Sequence, residues 1–346
     1  MNKRKYKWAA VIAAVIIIAG TAGYMNRMHI ALWGFNTFIS DDIEKQLEKS
    51  YKPFEGREVK PIIHEETIRP ISLLLLGVDQ RKNERGRSDT MIYTVIRPED
   101  GAMLMVSIPR DAYVEIPGRS RADKITHAYA FGEAKLAVET VENLFGLPVD
   151  HYAAINFEGF RSIIDEMGGI ALPIEKDLVN DDPNHEKFVV KAGQDLYNGQ
   201  DALNYVRYRE DAGGDLTRTG RHQVFISAML DKASEVGQWT KIPQLVDIMG
   251  SNFTTDIVPN DLIDMAKTML QSGHRTIYSH TLKGKGGISS DNGIWYYYLD
   301  KEDLDKAKAW IQNWLDASKS RAELPLPDQY KQNPIGAGMA SEVVRP

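Results

Sequence analysis

The 346-residue chain has no cysteine, so no disulfide can staple it. That absence fits a protein working outside the cytoplasm, where stray thiols would pair. A basic excess is missing too: the net charge is −6 and the isoelectric point about 5.8, which excludes a general nucleic-acid binder and makes any anion site a local one. There is no GxxxxGK[ST] loop, so a nucleoside triphosphatase of that type is set aside. GxSxG and HExxH are also lacking, and with them the signatures of those serine hydrolases and zinc peptidases. No internal repeat is visible. What is present is a hydrophobic content of 43%, enough for a sizeable core.

Residues 1–7 (MNKRKYK) carry four positive charges, and residues 8–25 (WAAVIAAVIIIAGTAGYM) carry none. This pattern predicts a basic cytoplasmic tip and one transmembrane helix, with everything beyond about residue 26 outside. A cleaved signal peptide is the competing reading. It is disfavoured because Ala19, Gly20, Thr21, Ala22 and Gly23 offer no clean Ala-x-Ala site.

Residues 26–69 are polar and mixed and read as a juxtamembrane stalk. From residue 70 to 319 the pattern is that of one domain. Strands are expected at Ile71 to Val78, Met91 to Arg97 and Ala102 to Ile108, each apolar and closed by Pro, Gly or charge. A helix follows at Ile125 to Phe145, then a strand at Val149 to Phe157, a helix at Glu158 to Met167 and a strand at Ile170 to Ile174. Later helices are expected at Arg218 to Ser234, Ile242 to Met249 and Pro259 to Gln271. Strands alternating with helices predict an α/β layered domain around a mixed sheet, since some connections are too short for parallel crossovers. Residues 320–346, rich in Pro and Gly, are expected to be disordered.

The cations are sorted in an unusual way. Ile71 to Ala130 holds seven arginines (Arg81, Arg85, Arg87, Arg97, Arg110, Arg119, Arg121) and two lysines. Asp201 to Phe225 holds four arginines (Arg207, Arg209, Arg218, Arg221) and no lysine, whereas the chain from Ile226 onward has three arginines and ten lysines. Solubility has no reason to make that distinction, but phosphate binding does, because a planar guanidinium holds two oxygens and stays charged when desolvated. Arg110 in SIPRDAYV directly follows a strand, where a sheet's carboxyl edge carries sites. Arg218 and Arg221 share the face of a helix start. Arg207 and Arg209 lie on different faces if Asn198 caps a short helix, and point the same way if the chain is extended.

Asp79 and Asp89 stand at the end of one strand and the start of the next. They read either as counter-charges to the arginines or as two ligands of one magnesium ion beside a diphosphate. His127, His222 and His280 read as structural. The run Trp295 to Tyr298 (WYYY) is expected to pack as a strand rather than to form a sugar-stacking platform.

The ordered set GVDQR…RSDTM, SIPRDAYV, DKITHAYAFGE, NGQDALNYVRYR and DLTRTGRHQ, behind a basic tip and one membrane helix, closely resembles the LytR-CpsA-Psr family. The resemblance covers about Ile71 to Ser234 and is most like the members that transfer teichoic acid in bacilli. It implies an α/β/α sandwich with an apolar pocket for a polyprenyl chain. It also implies a membrane-anchored phosphotransferase outside a Gram-positive cell, moving an anionic polymer, wall teichoic acid above all, from undecaprenyl diphosphate to peptidoglycan. By position, Asp79 and Asp89 match the acidic residues of its metal and catalytic centre, with Arg110 beside them and magnesium as the expected cofactor. Arg81, Arg87, Arg110, Arg121, Arg207, Arg209, Arg218 and Arg221 match or neighbour its diphosphate-binding arginines. Arg85 and Arg119 correspond less securely, and Lys124 and His127 fall in the matching DKIxHA segment. The alternatives are a non-catalytic binder of polyprenyl phosphate or wall polymer and an envelope-linked transcriptional attenuator, the latter opposed by a motif-bearing domain on the outer side. The partners implied are the lipid-linked polymer, peptidoglycan and the cytoplasmic membrane, with no nucleic acid.

Overall fold

A computed structural model of the chain describes residues 40–331, apart from 60, 65–66, 80–85, 183–185, 209–214 and 272–275. The basic tip and the apolar run 8–25 lie outside the described residues. Among the described residues no helix is long and apolar enough to cross a membrane.

Six strands form the central sheet: β1 (Ile71–Asp79), β2 (Arg87–Arg97), β3 (Ala102–Ile108), β4 (His151–Asn156), β5 (Phe253–Thr255) and β6 (Thr276–Thr281). Their order is β5-β4-β1-β2-β3-β6. The sheet is mixed, as the connection lengths require. The brief links from β1 to β2 and from β2 to β3 give antiparallel pairs, whereas β1 with β4 and β3 with β6 are parallel. A second, two-stranded antiparallel ladder pairs β7 (Gly284–Ile288) with β8 (Trp295–Leu299).

Both sheet faces are covered, which explains why β1 reads ISLLLL without alternation. One face places Leu74, Leu76, Tyr93 and Val106 against α2 (Thr126–Phe145) and α8 (Lys301–Leu315), whose Trp310, Ile311 and Trp314 complete that layer. Ile71, Leu73, Ile92 and Met105 on the opposite face meet α5 (Asp215–Ala233) and α7 (Pro259–Gln271). Beside them α3 (Phe157–Glu166) and α4 (Gly199–Arg207) form a further cluster, and α6 (Ile242–Asn252) packs with α1 (Ser40–Leu47). The result is the expected three-layer α/β/α sandwich around a mixed sheet.

Four expectations are corrected. The stalk assigned to 26–69 is part of the domain from residue 40 onward: α1 buries Ile43 and Leu47 against Val246 and Ile263, and Ser50 and Ile62 are fully buried. Residues 320–331 are ordered. Leu324 and Tyr330 are buried, Trp314 Nε1 donates to the Pro325 carbonyl at 2.9 Å, and the Tyr330 hydroxyl donates to Gln223 Oε1 at 2.7 Å. The segment Ile170 to Ile174 forms no strand and makes a single antiparallel bridge, Ile170 to Tyr197. Helix α2 is broken at Gly132 and Glu133, the latter at φ +53°, a backbone region that costs a non-glycine residue about 1–3 kcal/mol.

A chain ended after Lys319 is therefore expected to lose at least about 3 kcal/mol of stability, from exposing Leu324 and Tyr330 and their partners. Chemical denaturation beside the intact chain measures it, and an unchanged midpoint would show that residues 320–331 hold nothing together.

Candidate functional site

The site starts from an irregularity in the β1–β2 hairpin. Asp79 pairs with Arg87 and Val78 with Ser88, but Gly77 pairs with Thr90, so the register jumps and Asp89 is the extra residue of a β-bulge. Gly77 suits this close approach, since a Cβ there would stand 3.1 Å from the Thr90 Cβ. Cross-strand partners share a face, so Asp79 and Arg87 project together at the sheet's end.

Asp89, released from the ladder, accepts a hydrogen bond from Arg110 Nη1 at 3.0 Å. Arg110 Nε lies 3.5 Å from Asp111 Oδ2, and Lys124 Nζ lies 2.7 Å from Asp111 Oδ1. Asp89, Arg110, Asp111 and Lys124 thus form one half-buried chain of alternating charge. The Arg110 Nε–H is buried and faces Asp111 in that long ion-pair contact, without a shorter hydrogen bond among the described residues. Backbone contacts fix this segment: Thr126 N donates to the Arg110 carbonyl at 3.1 Å, and Thr126 Oγ1 to the Ser88 carbonyl at 2.9 Å.

Beside the charged end lies an apolar cavity of about 300 Å³. Leu75, Ile92 and Ala153 form its sheet side, with Phe160 from α3, Leu203 from α4, and Phe225 and Met229 from α5 opposite. Gly77 and Thr90 also line it, and these neighbour the two aspartates in sequence. Arg207, the last residue of α4, contributes a cation to its wall and stacks over Phe157 with 4.8 Å to the ring centroid. An apolar cavity with a guanidinium in its wall, on strands that carry two carboxylates within two residues of its lining, suits a ligand with an apolar tail and an anionic head.

Asn198 caps α4, accepting from Asp201 N at 2.8 Å, so Arg207 is helical as one of the two readings required. Arg221 is turned toward protein: Nη1 donates to the Tyr208 carbonyl at 3.0 Å, and the guanidinium stacks on Tyr205 and Tyr208. Burial holds the Arg221 pKa below its ordinary value and pushes the Tyr205 phenol up to about 12. This arginine braces the α4–α5 junction. Arg121 is exposed and opens onto a different cleft of about 780 Å³, together with Arg119, which stacks on Phe131 at 4.1 Å. Arg81, Arg85 and Arg209 lie outside the described residues, as does the Arg218 side chain. The three histidines have structural surroundings: His127 Nδ1 is 2.8 Å from Asp123, His222 Nε2 3.1 Å from the Val206 carbonyl, and His280 Nε2 2.8 Å from buried Asp303.

Asp111 is the functional candidate missed by sequence reasoning. Its only signal is its place directly after Arg110, and its link to Lys124 depends on the small ladder between Tyr113–Val114 and Asp123–Lys124, which no periodicity announces. Asp79 and Asp89 are the two carboxylates available to a magnesium ion, which takes one or two carboxylates and completes its shell with phosphate oxygens and water.

Comparison with known proteins adds the following. The model of the LytR_cpsA_psr family matches residues 37–313. The polyisoprenyl-teichoic acid–peptidoglycan teichoic acid transferase TagU of Bacillus subtilis is 32% identical over 309 residues, 88% of this chain and 95% of that protein. Its counterpart from Oceanobacillus iheyensis is 34% identical over 280 residues, 79% of this chain and 84% of the relative. Among solved structures, TagT bound to LIIa-WTA superposes with a TM-score of 0.61 at 30% identity, covering 75% of this chain and 94% of the other. B. subtilis TagU gives 0.55 at 33% identity, covering 72% and 97%.

The cavity can be tested without any substrate. Met229→Trp, which fills it from α5, is expected to weaken binding of an apolar fluorescent dye at least about tenfold, or 1.4 kcal/mol. Dye titration against the unaltered protein measures this, and equal binding would place the apolar site elsewhere.

Proposed function

This chain belongs to the LytR-CpsA-Psr family, and from that premise we propose that it is a transferase of the cell envelope, attaching wall teichoic acid to peptidoglycan from a polyisoprenyl diphosphate carrier. The named activity of the TagU relatives and the WTA-bound TagT structures support this reading. One observation in this chain carries it: the apolar cavity has Arg207 in its wall and is lined by Gly77 and Thr90 of the same two strands that bear Asp79 and the Arg110-bonded Asp89.

In the proposed reaction an acceptor sugar hydroxyl attacks the phosphorus that joins polymer to carrier. The new P–O bond forms the phosphodiester, the bond to the carrier's remaining phosphate breaks, and undecaprenyl phosphate leaves. The apolar cavity receives the prenyl chain. Arg110, Arg87 and Arg207 hold phosphate oxygens, and a guanidinium offers them paired donors. One carboxylate of the Asp79–Asp89 pair accepts the hydroxyl proton. Those two residues would also hold magnesium, which supplies charge neutralisation at the diphosphate. We further propose that residues 8–25 anchor the chain in the cytoplasmic membrane with the domain outside, so that the carrier's tail enters the cavity while the polymer remains in water.

Full-length protein incubated with a lipid-linked teichoic acid precursor, peptidoglycan oligomers and magnesium is expected to release carrier monophosphate and yield a covalent polymer–glycan adduct. Asp79→Ala and Asp89→Ala should each cost at least about 100-fold in rate, and Arg110→Lys about tenfold although the charge is kept. Undiminished turnover after both aspartate changes would overturn the catalytic assignment. Tight binding of the lipid with no turnover by unaltered protein would favour a non-catalytic binder.

A further inference from the structure

The β7–β8 hairpin has a composition that core packing does not explain. β7 reads GKGGI, and its glycines lie under the rings of β8. A Cβ on Gly286 would stand 2.5 Å from Trp295 Cζ2, one on Gly284 2.8 Å from Tyr297 Cε1, and one on Gly287 3.4 Å from Tyr298 Cε2. The glycines therefore leave the space these rings occupy against the β7 backbone. The expectation of strand packing holds for Tyr296, which is buried, accepts a hydrogen bond from Asn292 Nδ2 and supports Tyr113 at 4.7 Å between centroids. It fails for its neighbours, since Trp295 is 46% exposed, Tyr298 39% and the adjoining Tyr113 37%. Trp295 lies with Tyr297 on one face of the hairpin, whereas Tyr298 and Tyr113 lie on the other beside Tyr296, and this pair of half-exposed tyrosines marks a contact surface.

The hairpin is joined to the charged network. Tyr297 N donates to the Asp111 carbonyl at 2.9 Å, and Lys124 Nζ, bound to Asp111, is 5.9 Å from the Trp295 ring centroid. Asp89, at the network's other end, adjoins Thr90 in the cavity wall. The ion chain thus connects an apolar cavity on the β4–β1–β2 half of the sheet to an aromatic surface beyond β3 and β6.

We propose that Tyr298 and Tyr113, which share one face of the hairpin with 5.4 Å between ring centroids, form a stacking subsite for pyranose rings of the acceptor glycan. Rested on the transferase reading, the inference follows from in-line geometry: attacking and leaving oxygens lie on opposite sides of the transferred phosphorus, so a carrier in the cavity requires its acceptor on the far side of Arg110. A pyranose places its C–H face on an aromatic ring and keeps its hydroxyls in water, which a flat, half-exposed ring permits. A phospholipid surface fits less well. The hairpin turn from Ser289 to Gly293 includes Asp291 and Asn292, whose polar groups insertion would have to dehydrate.

The test uses full-length protein and soluble N-acetylglucosamine oligomers, titrated by calorimetry, so that it requires no turnover. Tyr298→Ala and Tyr113→Ala are each expected to weaken oligomer binding at least about fivefold, with Tyr298→Phe and Tyr113→Phe keeping most of it. In the transfer assay the acceptor KM should rise by a similar factor, with kcat and the KM for the lipid-linked donor unchanged. Unaltered glycan affinity and acceptor KM in variants with normal melting curves would overturn the proposal. So would a rise confined to the donor KM, which would give the surface to the polymer. Loss of binding to anionic phospholipid vesicles with glycan affinity intact would make the hairpin a membrane contact and overturn it equally. If unaltered protein binds the oligomers through these rings but transfers nothing, the transferase reading fails and the subsite stands.

Discussion

The inserted residue at Asp89 is the constraint on which the rest of the site depends. In a regular ladder each strand residue is assigned to one face, and shifting the register by one would exchange the faces of the whole strand. The bulge changes the assignment locally. Thr90 and Ile92 remain on the cavity side with Leu75, Ser88 remains paired with Val78 toward α2, and Asp89 is left to meet Arg110. One rigid hairpin therefore supplies an apolar wall and an anionic end with no flexible loop between them. A ligand that is half hydrocarbon and half phosphate needs that fixed relation between its two environments.

The ion chain is better understood as a positioning device than as a source of stability. Its side chains are 22–28% exposed, and partly solvated pairs of this kind are worth about 1 kcal/mol or less. Arg110 and Lys124 are already balanced by Asp89 and Asp111. Within this network the charges cancel, so an anionic head is held there only by what Arg87, Arg207 or the proposed divalent ion would add.

Much of this was legible in the sequence, and the exceptions have physical causes. ISLLLL announced a strand buried on both faces, short polar breaks announced antiparallel neighbours, and the skewed use of arginine pointed to the charged end of the sheet. Arg110 was findable because it directly follows a strand, and its partner Asp89 because it opens one. The surroundings of Arg221 were not legible, because spacing places a residue on a helix face without saying what faces it, here Tyr205 and Tyr208. The order of residues 320–331 was hidden for a related reason. Prolines suggested disorder, while the features that hold the segment, the Trp314 indole and the Gln223 amide, are distant in sequence. Asp111 was missed because its meaning depends on a partner thirteen positions away, brought near by a ladder of two residues per strand.

The fold secures Arg110 mainly through its backbone. Three successive carbonyls leaving β3 are all engaged: that of Arg110 by Thr126 N, that of Asp111 by Tyr297 N and that of Ala112 by Ile125 N. Two of these donors belong to the start of α2 and one to β8, so the segment is clamped between the helical layer and the hairpin. A side chain on such a segment begins from a fixed Cα, and the Asp89 and Asp111 carboxylates need only choose among its rotamers. The same clamp makes the hairpin's position a function of the site's position. Movement of β8 would pull on Asp111 and through it on Arg110, so an aromatic surface fixed to that strand keeps a constant distance from the phosphate-binding end. Rigid coupling of this kind is what a two-substrate displacement demands, because nucleophile and leaving group must be aligned to within a fraction of an ångström when neither is covalently held by the protein.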